Sequence, residues 1–337
     1  MIKRIALAAL AAIVVFVAGV LLLNASFRGT QLTGQPTLIA HRGVHQTFDL
    51  EGVDNDTCTA SRIRPPTGPE IENTIASMAA AFAAGAGVVE LDVHPTADGA
   101  FAVFHDWTLD CRTDGTGVTR EQSLAYLKSL DVGYGYTADD GATYPLRGTA
   151  VGAMPSLQEV FAAFPDNQFL VHFKSNEARE GDMLADLIAG EPAWRDNVWA
   201  VYGGGPPTGR AMERVDGLRG FPLAAVKECL IPYVRFGWAG AVPDACHDTV
   251  VPVPLNVGRW LWGWPALFVQ RMREAGSEVL IVGDYAPKRA MGGVDTVEDA
   301  ARVPDGFDGY VWTNDIRAIA PLFGAGTSPT RTGTAGR

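Results

Sequence analysis

The chain has 337 residues, of which 47% are hydrophobic and 19% charged. This balance excludes disorder throughout, because disordered chains combine low hydrophobicity with high charge. There are 27 Lys and Arg against 38 Asp and Glu, a net charge of −11. That charge argues against nucleic acid as the main partner, although a small phosphate-bearing ligand can still bind at a locally positive site. The length fits one large α/β barrel or two medium domains.

The chain begins with an uninterrupted apolar segment. Lys3 and Arg4 precede residues 5–23, which contain no charge. A membrane-spanning helix needs about 17–25 apolar residues, whereas a secretory signal has about 7–15. We therefore expect residues 1–26 to form an uncleaved signal-anchor helix, with a cleaved signal peptide as the alternative. In both cases the rest of the chain, after a tether at residues 27–36, is expected on the extracytoplasmic side: periplasmic or at the cell surface, or secreted after cleavage.

The four cysteines test this placement. They are Cys58, Cys111, Cys229 and Cys246, and none has the C-x-x-C spacing of a zinc site. All four lie near turn-rich sequence, and an oxidising compartment would let them pair. We predict the disulfides Cys58–Cys111 and Cys229–Cys246. The alternative is four reduced, buried thiols.

After the tether, short apolar runs alternate with helix-like segments. Runs that are apolar on both faces are typical of buried parallel strands, and eight βα units predict a TIM-type (β/α)8 barrel. The predicted strands are 37–41, 88–94, 168–174, 198–202, 222–226, 250–255, 278–282 and 309–313.

We place the barrel at residues 37–323 and expect residues 324–337, rich in Gly, Thr and Arg, to form a disordered tail. Two long segments interrupt the βα alternation. One is a polar insertion at about 44–70, after the first strand, and the other is a Gly- and Asp-rich stretch at 107–154. Loops of this length in a compact domain are usually functional or cross-linked.

The second predicted strand carries acidic residues on one face. Because residues alternate faces along a strand, Glu90 and Asp92 share a face, and the opposite face is wholly apolar. The apolar face can pack on the outer helices, which directs both carboxylates into the barrel. Two carboxylates in a confined space repel each other, and a cation between them relieves the repulsion. The pattern favours a metal site over a pair of surface acids.

The third predicted strand places His172 and Lys174 on one face. Lys174 could be a simple ion-pair partner, but residues at the carboxyl ends of barrel strands generally line the active site. Two histidines, a cation site and fixed positive charges fit phosphoryl transfer, in which one histidine deprotonates the nucleophile and the other protonates the leaving group. The residues expected to converge on this rim are His41, Arg42, Glu90, Asp92, His105, His172 and Lys174.

Several short motifs follow one another in a defined order. They are His41-Arg42-Gly43, Glu72-Asn73-Thr74, Glu90-Leu91-Asp92-Val93, Thr96-Ala97-Asp98-Gly99, His105-Asp106, residues 113–117, residues 155–160 and Asp308-Gly309. In this order they resemble the glycerophosphodiester phosphodiesterase family over nearly the whole predicted domain. The resemblance implies a TIM-type barrel and one divalent metal ion, Ca²⁺ or Mg²⁺. It also implies hydrolysis of glycerophosphodiesters to an alcohol and glycerol 3-phosphate.

The resemblance also implies roles for individual residues. These are acid/base catalysis for His41 and His105, metal binding for Glu90 and Asp92, and phosphate binding for Arg42 and Lys174, with Glu72 in the same pocket. The family usually has a glutamate as third metal ligand two residues before the lysine, and here that position is His172. Imidazole suits Ca²⁺ and Mg²⁺ less well than carboxylate does, so the identity of the metal stays open.

Two further differences from the family concern the walls of the pocket. The insertion at about 44–70 is expected over the barrel mouth, where it could reshape the substrate site. The seventh strand lacks the family's tryptophan, and Trp312 on the eighth strand is expected to supply an aromatic wall. His45 and His247 have no partners in sequence, and we expect them to be surface residues.

Two alternatives to glycerophosphodiester hydrolysis stay open. One is phospholipase D-like cleavage of a lysophospholipid or sphingomyelin, since an anchor would place lipid nearby. The other is a degenerate barrel that binds without turnover because of His172, although the presence of both His41 and His105 argues against it. The expected partners are a small glycerophosphodiester or lysophospholipid and a membrane, with no nucleic acid. Attack by the glycerol hydroxyl, through a cyclic phosphate, and direct attack by water are both compatible with the sequence.

Overall fold

Nine strands provide the framework of the part of the protein that the structure describes. The computed structural model describes residues 2–53, 57–286 and 292–324, so the predicted tail, apart from Gly324, lies outside the described residues. The strands are β1 (Thr37–His41), β2 (Val88–Pro95), β3 (Phe101–Val103), β4 (Gln168–Phe173), β5 (Val198–Gly203), β6 (Arg219–Pro222), β7 (Val250–Pro254), β8 (Glu278–Val282) and β9 (Tyr310–Thr313).

Eight of these strands form a nearly closed parallel barrel. Their order is β6-β5-β4-β2-β1-β9-β8-β7, and β3 pairs antiparallel with β2 outside this order. Among the described residues, no backbone ladder joins β6 to β7. The hydroxyl of Thr249 instead donates a hydrogen bond across this gap to the carbonyl oxygen of Gly220, at 2.8 Å. The TIM-type fold predicted from the βα alternation is confirmed.

The helices follow the strands in the expected alternation. They are α1 (Ile2–Leu23), α2 (Ile75–Ala83), α3 (Leu124–Leu127), α4 (Leu157–Ala163), α5 (Ala178–Gly190), α6 (Gly205–Arg214), α7 (Ala225–Phe236), α8 (Ala266–Glu274), α9 (Val297–Ala300) and α10 (Ile316–Ile319). Side-chain caps begin several of them. Thr74 caps α2, and Ser156 and Glu159 form a capping box on α4.

The predicted fifth strand, 222–226, is wrong. The strand is Arg219–Pro222, and Val226 lies in α7. Pro222 has no backbone N–H and therefore ends the ladder. Val226, Leu230 and Tyr233 then recur at helical spacing and pack inward, which favours a helix after the proline.

The core has two layers, one inside the barrel and one between the strands and the helices. The interior layer includes Ile39, Leu170, Phe221, Leu280 and Trp312. The larger outer layer packs the opposite strand faces against the surrounding helices. Burial on both faces explains why the strands are almost continuously apolar.

The two long segments that interrupt the barrel pack on each other. Ile63 of the insertion and Ile71, just after it, share a small core with Leu130 and Leu146 of the second segment. A disulfide between Cys58 and Cys111 joins the two segments, and a second disulfide joins Cys229 to Cys246. Both pairings match the prediction.

Helix α1 stands apart from this packing. Lys3–Leu23 is long and apolar enough to cross a membrane, and none of this span is buried against the barrel. By length and composition it could be a membrane anchor or a signal sequence. Its end contacts the protein, because Asn24 Nδ2 donates to the carbonyl oxygen of Trp238 at 2.8 Å and the ring of Phe16 lies 6.1 Å from that of Trp238.

Removal of the two disulfides should destabilise the protein to different extents. Cys58–Cys111 spans 53 residues and Cys229–Cys246 spans 17. In the loop-entropy model, replacement by serine pairs lowers the free energy of unfolding by about 4 and about 3 kcal/mol, respectively. Urea unfolding followed by tryptophan fluorescence measures both, with the reduced wild type as control. A larger loss for the shorter loop would contradict this account.

Candidate active site

Strand β2 carries two buried carboxylates at about the level where the neighbouring strand β1 ends. Glu90 and Asp92 are both 0% exposed and share a face of the strand, as the alternation predicts. Parallel pairing places Glu90 opposite His41 of β1, and Asp92 opposite His172 of β4. The register of the sheet therefore brings these four residues, distant in sequence, to one place.

Four side chains surround the carboxylate of Asp92. Its Oδ2 accepts a hydrogen bond from Asn73 Nδ2 at 2.9 Å and lies 3.2 Å from Arg42 Nε. Its Oδ1 accepts a hydrogen bond from His172 Nδ1 at 2.8 Å and lies 3.4 Å from Lys174 Nζ. Burial alone would raise the pKa of Asp92, but Lys174 and Arg42 hold that pKa well below its ordinary value. Asp92 is therefore ionised at neutral pH.

Glu90 is held by two donors. The hydroxyl of Tyr202 donates to Oε1 at 2.7 Å, and the backbone N–H of Arg42 donates to Oε2 at 3.1 Å. Burial and the nearby Glu90 carboxylate raise the pKa of Tyr202 well above its ordinary value, so the phenol keeps its proton and remains a donor. The ring of Tyr202 also stacks on His172, with ring centroids 4.1 Å apart.

Glu90, Asp92 and His172 together could hold a metal ion. Each offers one ligand atom, and the three atoms lie within 4.8 Å of one another. His172 Nδ1 lies 2.8 Å from Asp92 Oδ1 and 3.6 Å from Glu90 Oε1. Carboxylate oxygens and imidazole nitrogen are common donors to divalent cations in proteins, so this donor set fits such an ion.

His41, at the end of β1, is oriented by an amide. Its Nδ1 donates to Asn314 Oδ1 at 2.5 Å, which leaves Nε2 as an acceptor, and Arg42 Nε donates to that atom at 3.0 Å. Asp295 holds Asn314 in turn, because it accepts from both the backbone N–H and the side-chain amide of Asn314. Burial, followed by the charge of Arg42, lowers the pKa of His41 well below its ordinary value. The ring of Trp312 lies 4.9 Å from the His41 ring.

His105 is oriented by a carboxylate instead. Its Nδ1 donates to Asp106 Oδ1 at 2.6 Å, and Asp106 Oδ2 accepts from Arg112 Nε at 2.8 Å. Burial, with the charges of Arg42 and Lys174, lowers the pKa of His105 to about 4. Both histidines are therefore neutral at pH 7 before substrate binds.

Glu72 connects two arginines. Its carboxylate is 2.9 Å from Arg42 Nη1 and 2.9 Å from Arg112 Nη1. Arg112 is almost fully buried and also donates to Thr59 Oγ1 and to the hydroxyl of Tyr136. Burial alone would raise the pKa of Glu72, but the two arginines lower it. Arg112 belongs to the second long segment and Thr59 to the insertion, so both segments support Arg42 through the carboxylate of Glu72.

The turns that carry the site contain two left-handed residues that are not glycine. Arg42 has φ 57° and Asn73 has φ 59°. Such a conformation costs about 1–3 kcal/mol and persists where the surroundings enforce it. Here the carbonyl oxygen of Arg42 accepts hydrogen bonds from the Asn73 N–H at 3.0 Å and from the hydroxyl of Ser77 at 3.2 Å.

The predicted site residues lie together at the carboxyl ends of the strands. Contacts of 4.9 Å or less link them, directly or through Asp106 and Arg112. The residues are His41, Arg42, Glu72, Glu90, Asp92, His105, His172, Lys174 and Trp312.

The prediction for His45 is wrong, whereas His247 is exposed as expected. His45 is 9% exposed, because the insertion folds back over it, and its ring lies 5.7 Å from that of His41.

Several residues of the site were not predicted as such. Asn314 and Asp295 orient His41, Tyr202 holds Glu90, and Arg112 holds Glu72 and Asp106. Asn314 follows a predicted strand directly, which is the one sequence signal that could have identified it. The others act through side-chain contacts that depend on how distant loops meet.

Comparison with known proteins is consistent with this geometry. Residues 41–185 match the family model described as the glycerophosphoryl diester phosphodiesterase family. A glycerophosphodiester phosphodiesterase of Caldanaerobacter subterraneus subsp. tengcongensis is 38% identical over 103 residues, 31% of this chain and 39% of that protein. One of Bacillus subtilis is 34% identical over 130 residues, 37% of this chain and 43% of that protein. The chain thus spans less than half the length of these curated relatives.

Solved structures share the fold. A glycerophosphodiester phosphodiesterase from Agrobacterium tumefaciens has a TM-score of 0.56 at 20% identity, covering 86% of this chain and 98% of that one. An Oleispira antarctica phosphodiesterase in complex with the product sn-glycerol-3-phosphate has a TM-score of 0.52 at 19% identity, covering 86% and 96%. Residues 41–185, which carry most of the site, are thus similar to the glycerophosphoryl diester phosphodiesterase family, and the chain shares its barrel fold with these solved structures.

Proposed function

We propose that this protein is a phosphoric diester hydrolase that converts glycerophosphodiesters to an alcohol and glycerol 3-phosphate. The observation that carries this proposal is the arrangement of two neutral histidines and two cations around a buried pair of carboxylates. The names of the curated relatives support the reaction, and the product bound to the Oleispira protein supports the substrate class.

One divalent cation is part of this proposal, held by Glu90, Asp92 and His172. The resemblance to the family favours Ca²⁺ or Mg²⁺, and the imidazole widens the choice to Mn²⁺ and Zn²⁺. An ion bound there would stabilise negative charge that develops on the phosphoryl oxygens. His172 would then bind through Nδ1 in place of its hydrogen bond to Asp92.

The balance of charges supports a cation. In the network of ion pairs around Asp92, three carboxylates are paired with three permanent cations, and the neighbouring Glu90 adds one further negative charge. A divalent cation would give this network one net positive charge, which suits a singly charged phosphodiester. The groups counted are Glu72, Glu90, Asp92, Asp106, Arg42, Arg112 and Lys174.

His105 is the better candidate for the general base. The carboxylate of Asp106 accepts from its Nδ1, and that contact stabilises the imidazolium formed when the other ring nitrogen takes a proton. His41 completes the pair, since its Nδ1–H is committed to Asn314 and its Nε2 can return a proton to the leaving alcohol. A bound anionic phosphodiester would favour the protonation of His41 at Nε2 that this step requires, whereas burial and the charges of Arg42 and Lys174 keep His105 neutral as the base.

Arg42 and Lys174 are proposed to bind the phosphate. Both lie within 3.4 Å of Asp92, which holds them in place, and the side chains of Arg42 and Lys174 are 10% and 17% exposed, respectively. Trp312 beside His41 would form an aromatic wall for the rest of the substrate.

We further propose that α1 anchors the barrel, residues 37–323, at the extracytoplasmic face of a membrane. Lys3 and Arg4 before the apolar span favour a cytoplasmic N-terminus. The two disulfides support the placement, because such bonds persist mainly in oxidising compartments.

Turnover of defined substrates tests the function. The full chain, stripped of metal and then given Ca²⁺, Mg²⁺ or Mn²⁺, should release glycerol 3-phosphate from glycerophosphocholine and glycerophosphoethanolamine. His41→Ala and His105→Ala should each lower kcat/KM by about 10²–10⁴-fold, because each removes a proton-transfer group. His247→Ala, an exposed histidine outside the site, should leave it unchanged. Absence of turnover with every ion would overturn the enzyme reading and favour a binding barrel.

The pH dependence of kcat/KM tests the role of His105. A general base acts in its neutral form, and the lowered pKa of about 4 keeps His105 neutral down to mildly acidic pH. We therefore expect the acid limb of the kcat/KM profile to be flat between pH 7 and about pH 5. Below that, kcat/KM should fall as the pH approaches 4 and His105 becomes protonated. A fall centred near the ordinary histidine value of about 6.5 would contradict the assignment.

A further inference from the structure

A polar cavity of about 280 Å³ lies at the mouth of the barrel, between the insertion and the segments that follow β8 and β9. The insertion contributes His45 and Asp49 to its wall, the segment after β8 contributes Asp295, and the segment after β9 contributes Asn314 and Asp315. All three segments follow the carboxyl ends of strands, so the cavity opens at the same end of the barrel as the candidate active site.

The cavity borders residues that contact His41. Asn314, in its wall, accepts the hydrogen bond from His41 Nδ1 at 2.5 Å, and the ring of His45 lies 5.7 Å from the ring of His41. His41 is the proposed proton donor to the leaving alcohol, so that alcohol must lie against His41 when the ester bond breaks. The cavity is therefore in position to receive the part of the alcohol that extends beyond its oxygen atom.

The wall of the cavity is negatively charged. Its described residues include five aspartates and one permanent cation, Arg64. Arg302 pairs with two of the aspartates, at 2.5 Å and 3.3 Å. No ion pair joins the other three to a basic side chain in the described part of the chain, so the wall favours a cation. The paired aspartates are Asp284 and Asp299, and the other three are Asp49, Asp295 and Asp315.

A buried nitrogen of the wall lacks a hydrogen-bond partner. His45 is 9% exposed, and its Nδ1 donates to the carbonyl oxygen of Gln46 at 2.9 Å, whereas its Nε2 has no partner among the described residues. Burial lowers the pKa of His45, so the ring is neutral at pH 7 and Nε2 is an acceptor. A buried acceptor without a donor is unfavourable, and a ligand with an N–H or O–H group in the cavity would satisfy it.

We propose that this cavity is the subsite for the leaving alcohol and that it selects an alcohol with a primary ammonium group. This inference rests on the proposed function. The aspartates would attract the positive charge, and His45 Nε2 would accept a hydrogen bond from an ammonium N–H. A trimethylammonium group has the charge but no N–H, and a neutral alcohol has a donor but no charge. The preferred substrate is therefore the glycerophosphodiester of a small amino alcohol.

The reaction is the same proposed hydrolysis. The P–O bond to the amino alcohol breaks, water supplies a hydroxyl to phosphorus, and a proton goes to the alcohol oxygen. The ammonium group keeps its charge and takes no part in the reaction. The subsite therefore acts on specificity, and the products are glycerol 3-phosphate and a small amino alcohol.

Three substrates that differ only in the leaving alcohol test the proposal. The full chain, held in amphipol, is given glycerophosphoethanolamine, glycerophosphocholine and the ethylene glycol ester, in which a hydroxyl replaces the ammonium. A hydrogen bond to a charged group favours binding by about tenfold or more. We expect kcat/KM for the ethanolamine substrate to exceed that for the ethylene glycol ester by about tenfold or more, and that for the choline substrate by about threefold or more. A ratio near one in either comparison, alongside turnover, would overturn this inference and leave the proposed function standing.

Loss of negative charge from the wall should weaken the preference. In the double variant Asp49→Asn, Asp315→Asn, the ratio of kcat/KM for the ethanolamine substrate to that for the ethylene glycol ester should fall by about three- to tenfold. Asparagine can still cap α10 at position 315, and a ratio of two substrates cancels a general loss of activity. Asp166→Asn, at an exposed carboxylate in the turn before β4, should keep the wild-type ratio. An unchanged ratio in the double variant would contradict the proposal.

The acceptor at His45 has a test of its own. In His45→Leu, the ratio of kcat/KM for the ethanolamine substrate to that for the choline substrate should approach one, because the acceptor for the ammonium N–H is lost. His45→Gln, whose amide oxygen can still accept a hydrogen bond, should keep the preference. A preference that survives in His45→Leu would rule out the role of His45.

Binding without turnover separates the two hypotheses. His105→Ala is saturated with the ion that supports turnover, or with Ca²⁺ if none does. Titration calorimetry should then show glycerophosphoethanolamine binding about tenfold or more tighter than the ethylene glycol ester. If no substrate is hydrolysed by the wild type with any ion but this difference is present, the proposed function fails and the subsite assignment stands. If the two ligands bind alike, the subsite assignment fails.

Discussion

Two carboxylates, Glu90 and Asp92, lie side by side in the barrel interior, and the rest of the structure must stabilise their buried charge. Bulk water does not reach them, so the protein itself must compensate their charge. Arg42 and Lys174 approach Asp92 to within 3.4 Å, and Tyr202 donates to Glu90. The two buried carboxylates suit a bound cation, and the positive groups that stabilise them suit a phosphate. The contacts that stabilise the buried charges are therefore also the ones proposed to act in function.

The surrounding elements follow from this requirement. Arg42 reaches the carboxylates from a left-handed turn, and Glu72 and Arg112 hold its guanidinium from behind. Arg112 in turn depends on the two long segments, which a disulfide and a small second core tie together. The segments that interrupt the barrel pattern are thus part of the support for the site.

Much of the fold and site could be predicted because both depend on local pattern. Apolar runs identify the strands, and face alternation alone directs Glu90 and Asp92 inward. The predicted strand at 222–226 was wrong. Apolar residues follow Pro222, but the proline has no N–H to continue the ladder, and the strand ends there. The burial of His45 and the partners of His41 could not be predicted, because they depend on how the insertion and the residues after β8 fold over the mouth.

The central proposal is that Glu90, Asp92 and His172 bind one divalent cation. Anomalous diffraction from crystals grown with Mn²⁺ tests it most directly, because it locates the ion independently of activity. The account predicts a single strong peak about 2.0–2.3 Å from a carboxylate oxygen of Glu90, from one of Asp92 and from His172 Nδ1. At a saturating ion concentration, no peak among these residues, or a peak bound only by others, would contradict it.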